Sequence, residues 1–153
     1  MKFSAIATSY LISLAAAAPQ GIEKDATWTL SDVSANSTPG FNGALTTSYS
    51  LTITTDVSHQ TAHCQAESHE TGAPLGALPK TKCDPDVFAF SWTPKGQGAS
   101  DGYTLEVYDA TTKQHATHDI PADQIKDRPF VINDVHPHYY AGPSQFKVKT
   151  QLD

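Results

Sequence analysis

Short segments with a period of two dominate this sequence and restrict it to β-structure. The clearest of them runs from residue 45 to residue 55. Tyr49, Leu51 and Ile53 fall on one face of this segment, and Ser and Thr residues fall on the other. Because successive side chains of a β-strand point to opposite faces, the alternation predicts a half-buried strand. After the first 17 residues, no long segment has the 3.6-residue period of an amphipathic helix.

Proline and glycine residues divide the rest of the chain into similar short segments. Seven or eight short strands, with turns about every 8–15 residues, predict one all-β domain. We expect this domain to be a single antiparallel β-barrel or sandwich. The prediction includes a loop through residues 69–86 and one helical turn within residues 121–127. The predicted strands are residues 28–33, 45–55, 61–68, 87–92, 103–107, 115–120, 130–132 and 146–149.

An aromatic strand indicates where the core lies. Phe88, Phe90 and Trp92 share one face of the segment that begins at Val87. Three rings on one face bury a large apolar area, so we expect them in the interior together with Trp28. The alternative is an exposed row of rings that stacks against carbohydrate.

The first 17 residues have the three-part pattern of a secretory signal peptide. Lys2 gives a basic start, an apolar run begins at Ala5, and small residues precede Pro19. We predict a signal peptide at residues 1–17, cleaved after Ala17, with cleavage after Ala18 as the second choice. The run is too short and too rich in small residues for a transmembrane anchor. The predicted product, residues 18–153, is one secreted, extracellular β domain that has no membrane contact after the leader is removed.

The two cysteines fit this extracellular location. Cys64 and Cys83 are the only cysteines, and 18 residues lie between them. In a secreted chain they predict one disulfide, which would stabilise the fold by about 3 kcal/mol, with two free thiols as the alternative. The sequon Asn36-Ser37-Thr38 lies in a Ser/Asn/Pro/Gly stretch, so we expect an exposed loop with N-glycosylation at Asn36.

The charge balance argues against nucleic-acid partners. The formal net charge is −6, and loss of Lys2 with the leader makes it −7. The chain has no run of basic residues, so phosphate backbones and anionic membrane surfaces would be repelled.

The order of these features resembles a known family. A strand begins Trp28-Thr29-Leu30-Ser31-Asp32-Val33, a Ser/Thr-rich strand follows, and Cys64 and Cys83 precede the aromatic strand at 87–92. This order is similar to the Alternaria major-allergen family of fungal secreted β-barrel proteins. The segment Gly102-Tyr103-Thr104-Leu105-Glu106-Val107 also resembles fungal hypersensitive-response-inducing elicitors. The resemblance covers roughly residues 26–110 and implies a fungal source and a role in host contact.

The chain departs from the allergen family in its cysteines. Family members usually carry a second disulfide in the C-terminal part, and this chain has no cysteine after Cys83. The type member also has an N-terminal cysteine that links two subunits, and none stands between the leader and Cys64. The expected state is therefore a monomer or a weak non-covalent dimer, unless Cys64 or Cys83 pairs between chains.

Seven histidines are the most unusual feature of the composition. Metal sites use three or four converging ligands, but nothing in the sequence brings a third ligand to any pair. We therefore predict no metal and no cofactor, and keep a histidine-rich metal- or ligand-binding barrel as an alternative. The pairs are His59 and His63, His115 and His118, and His136 and His138.

Catalytic patterns are weak. Asp84 and Asp86 are the nearest approach to a carboxylate pair, and they are typical of a turn around Pro85. No Gly-x-Ser-x-Gly string is present. We predict a non-catalytic effector- or elicitor-like protein that binds a host extracellular protein or a cell-wall polysaccharide. A small cell-wall-modifying hydrolase is the alternative from another class.

Overall fold

The computed structural model describes residues 26–40, 44–70, 73–129 and 136–152. In these residues the regular structure is β-strand, apart from 3₁₀ turns at Gln97–Ala99 and Ala122–Gln124. No helix in the described ranges is long and apolar enough to cross a membrane. The strands are β1 (Thr27–Pro39), β2 (Leu45–Thr55), β3 (Thr61–Ser68), β4 (Leu78–Lys82), β5 (Phe88–Pro94), β6 (Tyr103–Asp109), β7 (Gln114–Ile120), β8 (Ile125–Asp127), β9 (His138–Tyr140), β10 (Phe146–Lys149) and β11 (Gln151–Leu152).

The strands form two antiparallel sheets with their apolar faces together. The first sheet has the order β3-β2-β1-β9-β8, and β10 also pairs with β1. The second sheet has the order β11-β7-β6-β5-β4. The predicted all-β antiparallel fold is confirmed, and its two sheets match the sandwich alternative.

The core between the sheets is aromatic. Phe88, Phe90 and Trp92 are all buried, as predicted, and Trp28 is only 1% exposed. The Trp92 ring packs against Tyr49 and Tyr103, with ring centroids 5.3 and 6.0 Å away. These rings lie inside the fold, so they do not form a carbohydrate platform.

Tyrosine hydroxyls attach a loop to this core. The Tyr103 hydroxyl accepts a hydrogen bond from Leu75 N at 2.8 Å and donates one to Leu75 O at 3.0 Å. The Tyr49 hydroxyl donates to Gly76 O. Burial raises the pKa of both phenols, so both stay protonated and can donate. The loop is therefore held against the core by buried polar groups, although its sequence is rich in Gly and Pro.

A disulfide links the two sheets along one side of the sandwich. Cys64 lies in β3, an edge strand of the first sheet, and Cys83 follows β4, an edge strand of the second. Their Cα atoms are 4.2 Å apart, so the predicted disulfide is confirmed. His63 and Asp84 exchange two backbone hydrogen bonds of 2.8 Å beside it. Since both cysteines of the sequence are used, neither is left to link two chains.

The C-terminal strands close the opposite side. β10 pairs with β1 of the first sheet, and β11 pairs with β7 of the second. Thr150 lies between them and is buried. Its backbone N–H donates to Ala26 O at 2.9 Å, and Gln114 Nε2 donates to its hydroxyl at 3.3 Å. One continuous segment therefore belongs to both sheets.

β1 is longer than predicted, and the sequon lies within it. The strand continues beyond Val33 to Pro39 through a bulge at Asp32, where φ is 54°. The prediction of an exposed loop at Asn36 is therefore wrong, because Asn36 is half-buried and pairs with both β2 and β9. Small residues alternate with polar ones after the bulge, which weakens the hydrophobic signal that a strand normally gives.

Two other segments differ from the prediction. Residues 69–86 are not loop throughout, because β4 lies at Leu78–Lys82. Residues 121–127 contain the expected turn at Ala122–Gln124, but the chain then enters β8. The predicted strand at 130–132 and the predicted signal peptide at 1–17 lie outside the described residues.

Candidate functional site

A groove crosses one end of the outer face of the second sheet. Its volume is about 380 Å³, and it lies between edge strand β4, the centre of β5 and β6, and the turn before β7. Three lysines and a tyrosine stand around a floor of small apolar side chains. The lining residues are Lys80, Lys82, Asp86, Val87, Ala89, Tyr108, Asp109, Ala110, Lys113 and Gln114.

Strand register assembles this groove from distant parts of the sequence. Lys82 is paired with Ala89, Ala89 with Tyr108, and Tyr108 with His115. Residues directly opposite each other in antiparallel strands project from the same face, so these four side chains form one row. Lys113 reaches the groove from the β6–β7 turn, where its φ is 59°.

Tyr108 is the best-ordered side chain of the groove. The Lys80 Nζ atom lies 3.6 Å from the centroid of its ring, a cation–π contact. Its hydroxyl donates to Glu106 Oε2 at 2.5 Å, and the Ser91 hydroxyl lies 3.5 Å from the same carboxylate oxygen. These contacts fix the orientation of the ring and keep the Lys80 ammonium on the outer face.

The two carboxylates of the groove have partners of their own. Asp109 is buried and accepts hydrogen bonds from Thr111 N at 2.7 Å and Thr112 N at 3.2 Å, which holds the turn before β7. Asp86 pairs with Lys82 at 3.1 Å, but both side chains are 73% exposed, so that ion pair is weak. The ammonium groups of Lys80 and Lys113 therefore determine the local potential, with Lys82 partly neutralised.

The arrangement suits an anionic ligand that also has an apolar face. Ammonium groups on flexible stems bind carboxylates as point charges, without the fixed geometry of a guanidinium. The Tyr108 ring and the small side chains beneath it can contact C–H groups. Nothing in this groove supplies a nucleophile beside a general base.

A second depression, of about 450 Å³, lies on the outer face of the first sheet. Its lining is polar and almost uncharged, with Glu67 as the one charged side chain. The residues are Ser34, Asn36, Ser48, Tyr49, Ser50, Gln65, Ala66 and Glu67. Beside it, Arg128 Nη2 donates to Asn36 Oδ1 at 2.6 Å.

The histidines do not converge. His115 shares the outer face of β7 with the groove, whereas His118 lies on the opposite, inward face. The His118 ring stacks on Phe146, with centroids 3.8 Å apart, and burial lowers its pKa in spite of nearby Asp119. Two histidines three apart suit one helix face, but in a strand they point to opposite sides.

The remaining histidines also lie in separate places. His138 Nε2 is 2.7 Å from Asp127 Oδ1, and His63 Nδ1 is 3.2 Å from the Thr52 hydroxyl. Across the part of the chain that the structure describes, no three His, Cys, Asp or Glu side chains are grouped to hold a metal ion.

The candidate carboxylates near the disulfide have structural roles. Asp86 pairs with Lys82, and Asp84 is joined through its backbone to His63. Both residues are exposed. Their contacts match the turn interpretation of the sequence.

The groove residues were not predicted from the sequence. Lys80, Tyr108 and Lys113 are separated by up to 33 residues, and no motif connects them. The one available signal was Lys80 and Lys82 alternating along a short segment, which is typical of a protected edge strand. Their proximity to Tyr108 depends on strand register.

Comparisons with protein-family models, with curated proteins and with solved structures found no match to this chain.

Proposed function

We propose that this chain is a secreted, non-catalytic, effector- or elicitor-like protein that binds carboxylated cell-wall polysaccharide through the lysine groove. The observation that carries the proposal is the grouping of Lys80, Lys82 and Lys113 around Tyr108 on a chain of net charge −6. The two groove carboxylates, Asp86 and Asp109, have partners within the protein.

Charge spacing favours a sugar acid over a nucleic acid. The acidic remainder of the surface repels a dense polyanion, and duplex DNA carries a charge about every 1.7 Å. A chain of uronic acids places its carboxylates further apart, one on each ring. Such a chain can present a few carboxylates to the lysines without bringing many others close to the acidic surface.

The groove floor supports a ring-shaped ligand. Sugar rings have C–H faces that pack on aromatic and small apolar surfaces, and Tyr108, Ala89 and Val87 provide these. The Glu106 carboxylate fixes the Tyr108 hydroxyl, so the ring is oriented before binding. This pre-organisation reduces the entropic cost of association.

The extracellular part of the proposal rests on two features. The predicted leader would direct the chain into the secretory pathway, and a disulfide persists in an oxidising compartment. The effector or elicitor role rests on the resemblance to fungal secreted proteins.

Titration calorimetry with an oligomer of galacturonic acid tests the proposal. We expect binding that weakens as salt increases, because the contacts are between exposed charges. The Lys80→Gln variant should lose about fivefold in affinity, corresponding to about 1 kcal/mol for a charge contact and its stacking. Lys113→Gln should lose a similar amount.

Two controls make the test specific. Lys147→Gln makes the same change of charge on β10, at the first sheet, and should leave the affinity unchanged. The methyl ester of the oligomer keeps the sugar ring and removes the carboxylate charge, so it should bind poorly. Equal binding of acid and ester, or equal losses in Lys80→Gln and Lys147→Gln, would contradict the proposal.

A further inference from the structure

Asn36 lies in the middle of a row of side chains that crosses the first sheet. It is paired with Tyr139 of β9 on one side and with Ser48 of β2 on the other. Ser48 is in turn paired with Glu67 of β3. Directly paired residues project from the same face with Cβ atoms about 5 Å apart, so this row is on the outer face.

The Asn36 carboxamide is held in one orientation. A guanidinium only donates hydrogen bonds, so the atom 2.6 Å from Arg128 Nη2 must be the carboxamide oxygen. Arg128 is itself placed against the Tyr139 ring, 5.5 Å from its centroid. The Nδ2 atom is therefore directed away from Arg128, toward the depression that Asn36 lines.

Asn36 Nδ2 is also unused within the fold. It has no hydrogen-bond partner among the described residues and is not one of their buried unpaired atoms. The 450 Å³ depression beside it presents hydroxyl and amide groups from Ser34, Ser48, Ser50 and Gln65. This lining suits a neutral polar ligand.

Asn36, Ser37 and Thr38 form an N-glycosylation sequon. The β-strand position does not prevent modification, provided that the sequon is modified before the strand forms. The finished fold must then accommodate a sugar at Nδ2. An outward atom beside an open polar depression meets this requirement.

We propose that Asn36 carries an N-linked glycan whose first N-acetylglucosamine lies in the depression lined by Ser34, Ser48, Ser50 and Gln65. In the reaction Nδ2 forms a bond to C1 of the sugar and loses one proton. The C1–O bond to a lipid diphosphate carrier breaks, and the lipid diphosphate leaves. The inference rests on the proposed secretion but is independent of the lysine groove.

Arg128 has a positioning role in this arrangement. The attached asparagine keeps its carboxamide oxygen, so the hydrogen bond from Arg128 persists after modification. That bond fixes the direction of the N-glycosidic bond. The glycan then covers the outer face of the first sheet and leaves the lysine groove exposed.

The test is expression of the full chain in a eukaryotic secretory host, once with its own first 17 residues and once with a host leader. Peptide mass spectrometry after treatment with a peptide-N-glycosidase should show conversion of Asn36 to Asp. Thr38→Ala, which removes the sequon but keeps Asn36, should abolish the glycan. Thr38→Ser, the matched control, should retain it.

The location of the first sugar needs a second measurement. Trimming with an endoglycosidase that leaves one N-acetylglucosamine should give nuclear Overhauser contacts from the sugar to Ser48 and Gln65. Arg128→Gln should keep the modification but weaken these contacts.

Two results would overturn the proposal. An unmodified Asn36 in protein secreted with the host leader would exclude the glycan. A modified Asn36 whose sugar has no contact with the depression would exclude the seat. Failure with only the native leader would refute the proposed signal peptide instead, and the galacturonate titration of unmodified protein separates either outcome from failure of the groove.

Discussion

The outer faces of the two sheets differ in chemistry although the same alternation builds both. On the first sheet, cross-strand neighbours are hydroxyls and amides, such as Ser34 and Ser50, whose Oγ atoms are 3.1 Å apart. On the second sheet, Lys80, Tyr108 and Glu106 form a charged and aromatic cluster. The inward faces share one apolar core, so the fold restricts only half of each strand and leaves the other half free for recognition.

The difference also follows from position in the sheet. The neutral face is centred on β1 and β2, inside the first sheet, whereas two of the groove lysines lie on β4 at an edge. Lysines on an edge strand oppose pairing with another chain, and the same ammonium groups can bind an anion. The groove thus combines an edge-protecting feature with a binding surface.

The largest predicted effect comes from the core that both faces share. Trp92→Ala should lower the free energy of unfolding by about 3–5 kcal/mol, because it leaves a cavity among three tyrosine rings. Urea denaturation measures the change. Thr93→Ala, at the exposed neighbouring position, should have an effect within about 0.5 kcal/mol. Similar losses in both variants would mean that the sheets do not share this core.

The link between the sheets should have the next largest effect. Replacing Cys64 and Cys83 together by Ala should reduce stability by about 3 kcal/mol, because the unfolded chain gains the entropy of an open loop. Thermal unfolding of the oxidised protein and the double variant tests this. A double variant as stable as the parent would show that the backbone contacts of His63 and Asp84 suffice to hold the edge.

A smaller loss should follow from removing one buried hydroxyl. Tyr103→Phe leaves the backbone N–H and C=O of Leu75 without their partner, which should cost about 1–3 kcal/mol. Hydrogen exchange at the Leu75 amide should accelerate. Tyr108→Phe is the matched control on the outer face, and it should leave that amide unchanged. Unchanged exchange in Tyr103→Phe would mean that the loop is held by other contacts.

The smallest predicted effect separates the two faces of β7. Burial lowers the pKa of His118 below the value of about 6.5 expected in the unfolded chain. The unfolded state therefore binds more protons as the pH falls, and stability should decrease from pH 7 toward pH 5. His118→Phe should flatten this slope, and chemical denaturation at several pH values measures it. An unchanged slope would place the titrating group elsewhere.

The fold could be predicted from the sequence mainly where one face of a strand is strongly apolar. β3 was predicted with the bounds Thr61–Ser68 that the structure shows, and β5 carries the predicted aromatic face. β4 was missed because Pro79 and two lysines hide its alternation. β1 was predicted too short because a bulge shifts its alternation at Asp32. Period-two patterns reveal strands reliably only when the buried side chains are large.

The candidate sites could not be predicted in the same way. The disulfide follows from the cysteine count, but the groove depends on the register that pairs Ala89 with Tyr108. Register results from packing of the whole sheet, and one slipped residue would move Tyr108 to the core. The sequon was evident as a motif, whereas its contact with Arg128 joins residues 92 positions apart.

The segment from Phe146 to Leu152 gives the synthesis of this chain a definite order. Both sheets remain incomplete until this segment is made, because it pairs with β1 and with β7. A chain emerging from a ribosome therefore cannot finish its tertiary structure until nearly all of it has been translated. Asn36 is made more than a hundred residues earlier. Enzymes acting on the nascent chain consequently have a long interval in which this asparagine is accessible.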